Sequence, residues 1–183
     1  RVPEQVRIPM TLAEPLAAVD GVRAVIPDRS VPATVVSTRE RVLAAPGGGT
    51  VVGHGWRSAA ITPYKITSGR PPSSTSEVVL DIALAAQGDV DIGDDVRITS
   101  TDGTWTYVVV GLARPPRGST PPGTVFLSDE RVASLSVDLG RVDALGLLLD
   151  ETADAEEVAE KIERAVGQDI AVFTGLDRGE VGS

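Results

Sequence analysis

The feature that most constrains this chain lies near its end. In ETADAEEVAEKIERAVG, residues 151–167, Val158, Ile162, Ala165 and Val166 recur at helical spacing, so a helix there carries one apolar stripe. Asp154 and Glu157 suit its start and Gly167 its stop. Glu157–Lys161 and Glu160–Arg164 stand four apart with the acid first, the favourable order. Strand-like runs flank this helix, RVDALGLLLD before it and QDIAVFTG after it. At the other end of the chain, TLAEPLAAVDG reads as a short helix. Thr11 and Glu14 have capping-box spacing, Pro15 falls in the first turn, and Leu12, Leu16 and Val19 share a face; Gly21 offers a left-handed stop. VRAVIPD and SVPATVVST follow as strands around a turn at Pro27 and Asp28. Neither end can bury its helix face alone, so the two are expected to complete one sheet together. That makes a discontinuous α+β domain with an insertion.

The insertion is β-rich. LAAPGGGT is a flexible break and marks its start. TVVGHGW, EVVLD, VDIGDDVRITS and TDGTWTYVVVGLA are short strands, with Asp102-Gly103 as a hairpin turn. After the Pro/Gly/Ser loop RPPRGSTPPG, TVFLSDERVASL reads as a strand feeding a short helix capped by Ser128. Strands this short and close suggest a small, partly closed barrel or sandwich. The expected boundaries are 1–45 and 141–183 for the outer α+β part and 46–140 for the inserted part.

Composition narrows the functional classes. With 42% hydrophobic and 23% charged residues the chain of 183 is long enough for one large or two small globular domains. A formal net charge of -9 argues against nucleic acid and against docking by charge on an anionic membrane. Cysteine is absent, which removes disulfides and thiolate chemistry without fixing the compartment. Lys65 and Lys161 are the only lysines; with abundant Ala, Gly and Val, this usage matches a high-GC bacterial genome. The longest apolar runs, YVVVGLA and ALGLLL, are strand-length, well short of the roughly 20 residues of a membrane span. Since Arg1 is no initiator Met, the sequence reads as a soluble piece of something longer.

No catalytic constellation emerges. SGRPPSSTSEVVLD lacks the second glycine and the Lys of a phosphate loop, and its prolines remove the N–H donors such a loop needs. Ser73, Ser74 and Ser76 have no G-x-S-x-G setting. His54 is the lone histidine, and between glycines it suits a turn or a surface position better than a metal site. The aspartates of GDVDIGDD miss the EF-hand spacing and read as a tight turn entering a strand. Trp56, Tyr64, Trp105 and Tyr107 suit packing better than a ligand platform in a chain only 3% aromatic. As contacts for a substrate or partner, Arg114, Pro115, Pro116 and Arg117 of the Pro-rich loop stand first, with Trp56 and Tyr64 beside them. Gly69, Arg70 and Glu77 are the residues expected to set a hinge between the subdomains.

The order of elements carries a resemblance. LAAVDGVRAVIPD resembles the opening of the extracytoplasmic (periplasmic core) domain of MacB/FtsX-type ABC transporter permeases, where an apolar helix runs through Gly-Val into the first strand. ITSGRPPSSTSEVVLDIALAAQGDVDIGDDVRI is similar to that family's Gly-Arg-Pro segment, Glu-led strand, short helix and Gly-Asp turn. YVVVGLA and ADAEEVAEKIERAV match the strand and the last helix that follow, so the likeness spans nearly the whole chain in order. The resemblance implies an outer porter-like subdomain and an inserted sabre-like one, with no enzyme activity and no cofactor in the domain. ATP would be bound by a partner, a cytosolic ABC ATPase. The other partners it implies are the chain's own flanking transmembrane helices and a second permease copy or half. It also implies a site on the extracytoplasmic side of the cell membrane, and a lipid, lipoprotein, peptide, drug or extracytoplasmic protein as what is handled. The competing expectation is a free-standing secreted or lipid-anchored ligand-binding module.

Overall fold

The computed structural model describes residues 7–62, 64–117, 123–167 and 172. The chain forms two compact units, Arg1–Pro27 with Gly140–Ser183, and Asp28–Leu139. The first unit thus takes both ends of the sequence and the second is one continuous insertion. The division falls at Pro27–Asp28, not at the glycine-rich break at 45/46. Pairing explains the difference: the strands between those points join partners inside the second unit, and local alternation cannot name a strand's partner.

The first unit opens with β1 (Ile8–Pro9), a 3-10 turn at Met10–Leu12, α1 (Ala13–Ala17) and β2 (Val22–Asp28). The capping box at Thr11 and Glu14 does not form: neither N-cap position makes a side-chain bond, and the Met10 N–H instead donates to Gly140 O at 2.8 Å. Gly21 sits at φ 91°, and a Cβ there would lie 2.8 Å from Val158 Cγ2, so both conformation and space require glycine.

The second unit contains β3 (Ser30–Pro32), β4 (Thr34–Ser37), β5 (Val42–Leu43), β6 (Val52–Gly55), β7 (Lys65–Gly69) and β8 (Glu77–Asp81). It continues with α2 (Ile82–Gly88), β9 (Asp95–Ser100), β10 (Gly103–Arg114), β11 (Thr124–Leu127) and α3 (Asp129–Leu135). Sheet order is β3-β6-β11-β8-β10-β9-β4-β5, with β7 also on β10. β3 and β4 are separated by Ala33 alone, yet they stand near opposite ends of this order. A sheet whose first and near-last strands are one segment must curl on itself, closing the circuit through β6, β11, β8, β10 and β9. The inside is filled by alternate residues: Val31, Val35, Val78, Leu80, Val96, Ile98, Val109, Val125 and Leu127 belong to one buried cluster. Leu84 of α2 and Val132 and Leu135 of α3 join that cluster. The glycine-rich break is a turn within this sheet, with Gly47 and Gly48 at φ 79° and 80°. The hairpin at Asp102-Gly103 forms as expected, Gly103 taking φ 115°. So does the Ser128 cap, whose Oγ accepts from Arg131 N at 3.2 Å.

The chain re-enters the first unit through β12 (Arg141–Val142), β13 (Ala144–Leu149) and α4 (Ala155–Val166). β1 pairs with β12, and β2 with β13. Leu16, Val158 and Ile162 are buried here, with Leu12, Val19, Val25, Leu145, Leu147 and Leu149 packed around them. Each fully buried aliphatic side chain of this kind contributes about 1.5–3 kcal/mol. The two terminal helices do share one core. Ala165, placed in the apolar stripe from spacing, is exposed. The Asp154 side chain accepts from Glu156 N and Glu157 N, at 2.9 and 3.1 Å, and Lys161 pairs with Glu157 at 2.8 Å. Arg164 bonds the Glu160 backbone carbonyl at 3.1 Å, in place of the expected side-chain pair. The closing strand expected in QDIAVFTG lies outside the described residues except Val172, which packs on this core.

Candidate functional site

Three side-chain groups, all in the second unit, contain the chemistry singled out from the sequence. The first is aromatic. Where Val125 and Leu127 of β11 point into the barrel, Phe126 points out, and Val79, Val110 and Ala113 join it in a second buried cluster. Tyr64 meets Phe126 edge-on at 5.0 Å and Trp56 does so at 5.4 Å. The Tyr64 hydroxyl donates to Asp81 Oδ2 at 3.0 Å, while Asp81 Oδ1 caps α2 by accepting from Ala83 N at 2.7 Å. Burial, and then the charge and hydrogen bond of Asp81, push the Tyr64 pKa well above its ordinary value. Tyr64 is 5% exposed, so it is a core residue and not a contact surface. Trp56 is half-buried in the same cluster.

The second group joins Asp28, His54 and Ser58. These are the residue types of a catalytic triad, but the bonding is different. His54 Nδ1 lies 2.8 Å from Asp28 Oδ1, and Ser58 Oγ donates to that same oxygen at 2.6 Å. A nucleophilic serine must give its proton to the imidazole. Here the serine donates to the carboxylate. Burial alone would raise the Asp28 pKa, but the hydrogen bond and charge of His54, with the Ser58 hydroxyl, outweigh it and hold Asp28 below its ordinary value. The lone histidine is a partner in a structural clasp.

The third group is the Gly-Arg-Pro segment. Arg70 grips Glu77 bidentately, Nη1 to Oε2 at 2.9 Å and Nη2 to Oε1 at 2.5 Å. Ser73 adds its N–H at 2.7 Å and its hydroxyl at 2.9 Å to Oε2. The Arg70 hydrogen bonds, then the Ser73 N–H, hold the Glu77 pKa down at about 2. Gly69 has φ 76°, and a Cβ on it would lie 2.2 Å from Val110 O; one on its ladder partner Gly111 would lie 2.5 Å from Arg70 O. Two backbones therefore touch where only glycine fits. Gly69, Arg70 and Glu77 were expected at a hinge between subdomains, but they all lie within Asp28–Leu139, in a tight loop locked by the bonds from Arg70 and Ser73 onto Glu77. The aspartates of GDVDIGDD are also divided among structural tasks. Asp89 pairs with Arg39, and Asp94 Oδ2 accepts from Asp91 N at 2.9 Å to close a turn at Gly93.

Of the loop residues, Arg114 and Arg117 are exposed and Pro115 and Pro116 half-buried; 118–122 lie outside the described residues. The structure brings Arg114 opposite Lys65 across the β7–β10 ladder, a juxtaposition sequence reasoning missed because register is set by tertiary pairing. It also missed the setting of Trp105, expected in packing but 55% exposed. The Arg131 guanidinium lies 5.6 Å from its ring and 5.8 Å from that of Tyr107, and pairs with Asp102 at 2.9 Å.

The chain matches the MacB-like periplasmic core domain over residues 2–165. It belongs to that family. Family membership places the chain among periplasmic domains of ABC transporter permeases, which is not a catalytic family. The fold is shared with solved MacB-like domains. The periplasmic region of MacB from Actinobacillus actinomycetemcomitans aligns with a TM-score of 0.60 at 14% identity, covering 86% of this chain and 73% of that one. The extracellular domain of the ABC-type transporter YknZ from Gram-positive bacteria aligns at 0.58 and 12%, covering 86% and 81%. Compared with curated proteins, the chain has no match. Among the described residues no helix is long and apolar enough to cross a membrane.

Proposed function

We propose that this MacB-like domain is the non-catalytic extracytoplasmic part of an ABC transporter permease, standing on the outer side of the cell membrane between transmembrane helices of its own polypeptide. The family match over residues 2–165 carries this reading. In it, a cytosolic ABC ATPase binds and hydrolyses ATP, and the domain itself holds no cofactor. A second permease copy or half completes the assembly. ATPase closure moves the domain, and that motion exports a lipid, lipoprotein, peptide or drug, or activates an extracytoplasmic protein.

Two features of the molecule support a mechanical role. Both ends of the sequence belong to one unit, so displacement delivered through either end enters the same sheet-and-helix body. The insertion is a barrel filled with aliphatic side chains, and packed interiors transmit strain rather than absorb it. Among the described residues, Asp28, His54 and Ser58, and Arg70 with Glu77, hold one another in clasps. In this reading Arg114–Arg117 and the loop they open form the contact with substrate or partner.

The experiment is export of the native substrate by the full transporter carrying an ATPase-dead partner. Loss of export with the domain still present at the membrane is the expected result; unchanged export overturns the coupling. The gene supplies a second check. Apolar stretches of about 20 residues on both sides of this segment are expected. A stop codon directly after Ser183 would instead favour a free-standing secreted or lipid-anchored binding module.

A further inference from the structure

Among the described residues, β7 pairs with β10 alone, and Lys65, Thr67, Ser68 and Gly69 are exposed along it. An open strand edge presents a row of unpaired N–H and C=O groups. The register then does something unusual with charge. Lys65 stands directly opposite Arg114, where like charges destabilise a ladder. Neither strand contains an Asp or Glu to relieve them, KITSG and GTWTYVVVGLAR being their complete sequences. No ion pair among the described residues engages Lys65, Arg114 or Arg117, as is true also of Arg23, Arg29, Arg41, Arg57, Arg141 and Arg164; what sets Lys65 and Arg114 apart is that they face each other across an open edge.

A lysine on an exposed edge also discourages pairing with another edge. That explains Lys65 and leaves its cross-strand arginine unexplained. We propose that this edge is a docking site for an extended acidic peptide segment, whose backbone adds to β7 and whose side chains neutralise Lys65, Arg114 and Arg117. Strand addition takes affinity from main-chain hydrogen bonds and specificity from alternate side chains. A membrane surface is the poorer occupant. It would use the cations but not the edge, and the aromatic ring beside Lys65, that of Tyr64, is buried rather than free to enter an interface. The inference rests on the surface of the second unit and is independent of whether the domain transmits motion.

The test is fluorescence anisotropy of a short fluorescein-labelled peptide alternating Glu with Thr and Val, titrated with the 183-residue chain. The same peptide with Lys in place of Glu, and one N-methylated at alternate residues, serve as comparisons. Binding of the Glu peptide alone is expected. K65E/R114E should weaken it by at least about tenfold and gain binding of the Lys peptide, while the milder K65Q/R114Q falls between. Both pairs are exposed, and far-UV circular dichroism checks that they fold. The proposal is overturned if the Glu peptide does not bind, if charge reversal leaves its affinity unchanged, or if the N-methylated peptide binds equally well. Sedimentation with phosphatidylglycerol vesicles in the absence of peptide binding would overturn it in favour of a lipid surface.

Discussion

Gly69 offers a test of how much of the second unit depends on two backbones touching. Replacing it with Ala has two costs that can be separated. The first is conformational: φ 76° costs an L-residue roughly 1–2 kcal/mol, partly offset by about 0.4–1 kcal/mol from a less flexible unfolded chain. The second is steric. The new Cβ would lie 2.2 Å from Val110 O and 2.9 Å from Gly111 Cα, and main-chain atoms cannot swing aside as a side chain would. Overpacking of this sort costs about 1–3 kcal/mol, and Arg70 N would lose its 3.0 Å bond to Val110 O. G69A should therefore lose about 2–4 kcal/mol. Gly93 isolates the first cost, since φ is 96° but nothing lies within 4 Å, so G93A should lose only about 0.5–1 kcal/mol. Gly111 isolates the second and should fall between. Urea unfolding followed by tryptophan fluorescence gives the three free energies. Amide exchange of β7 shows whether the loss is global or confined to that strand. If G69A is no worse than G93A by both measures, the close-approach argument is wrong.

Two further outcomes follow from the same geometry. Asp28 has a depressed pKa, so its contribution is present above the ordinary carboxylate range and lost as pH falls through its lowered folded value; D28N should flatten the acid limb of the stability–pH curve, and an unchanged limb would refute the clasp. F126A removes the ring that Tyr64 and Trp56 pack against and should cost about 3–5 kcal/mol in urea unfolding, with a loss under about 1 kcal/mol showing that the outer cluster is not a core.

Periodicity in α4 named its stripe, its cap and one of its two ion pairs, and the shared need of both ends for cover led to the discontinuous first unit. These are local signals, written within a few residues. What sequence did not disclose was of longer range. Residues 30–37 alternate as a strand would in either unit, and only their ladders with β6 and β9 assign them to the second. Lys65 opposite Arg114 is a matter of register, as is the meeting of Gly69 with Gly111. Tyr64 and Trp56 are amphipathic residues equally suited to a surface or a core, and the outward turn of Phe126 decided between them.

The segment through Ala33 has a consequence for assembly of the barrel. Its first half needs β6, which lies near in sequence, and its second half needs β9, which is synthesised much later. Ribosomal order therefore leaves β4 paired with β5 alone until the β9–β10 hairpin exists, and loop-closure entropy makes the long-range seams, β4 on β9 and β6 on β11, the slow ones. A nascent chain arrested before residue 95 would have only the β3–β6 and β4–β5 pairs available, with β8 lacking both its partners, the state in which a chaperone or an adventitious strand has its opportunity.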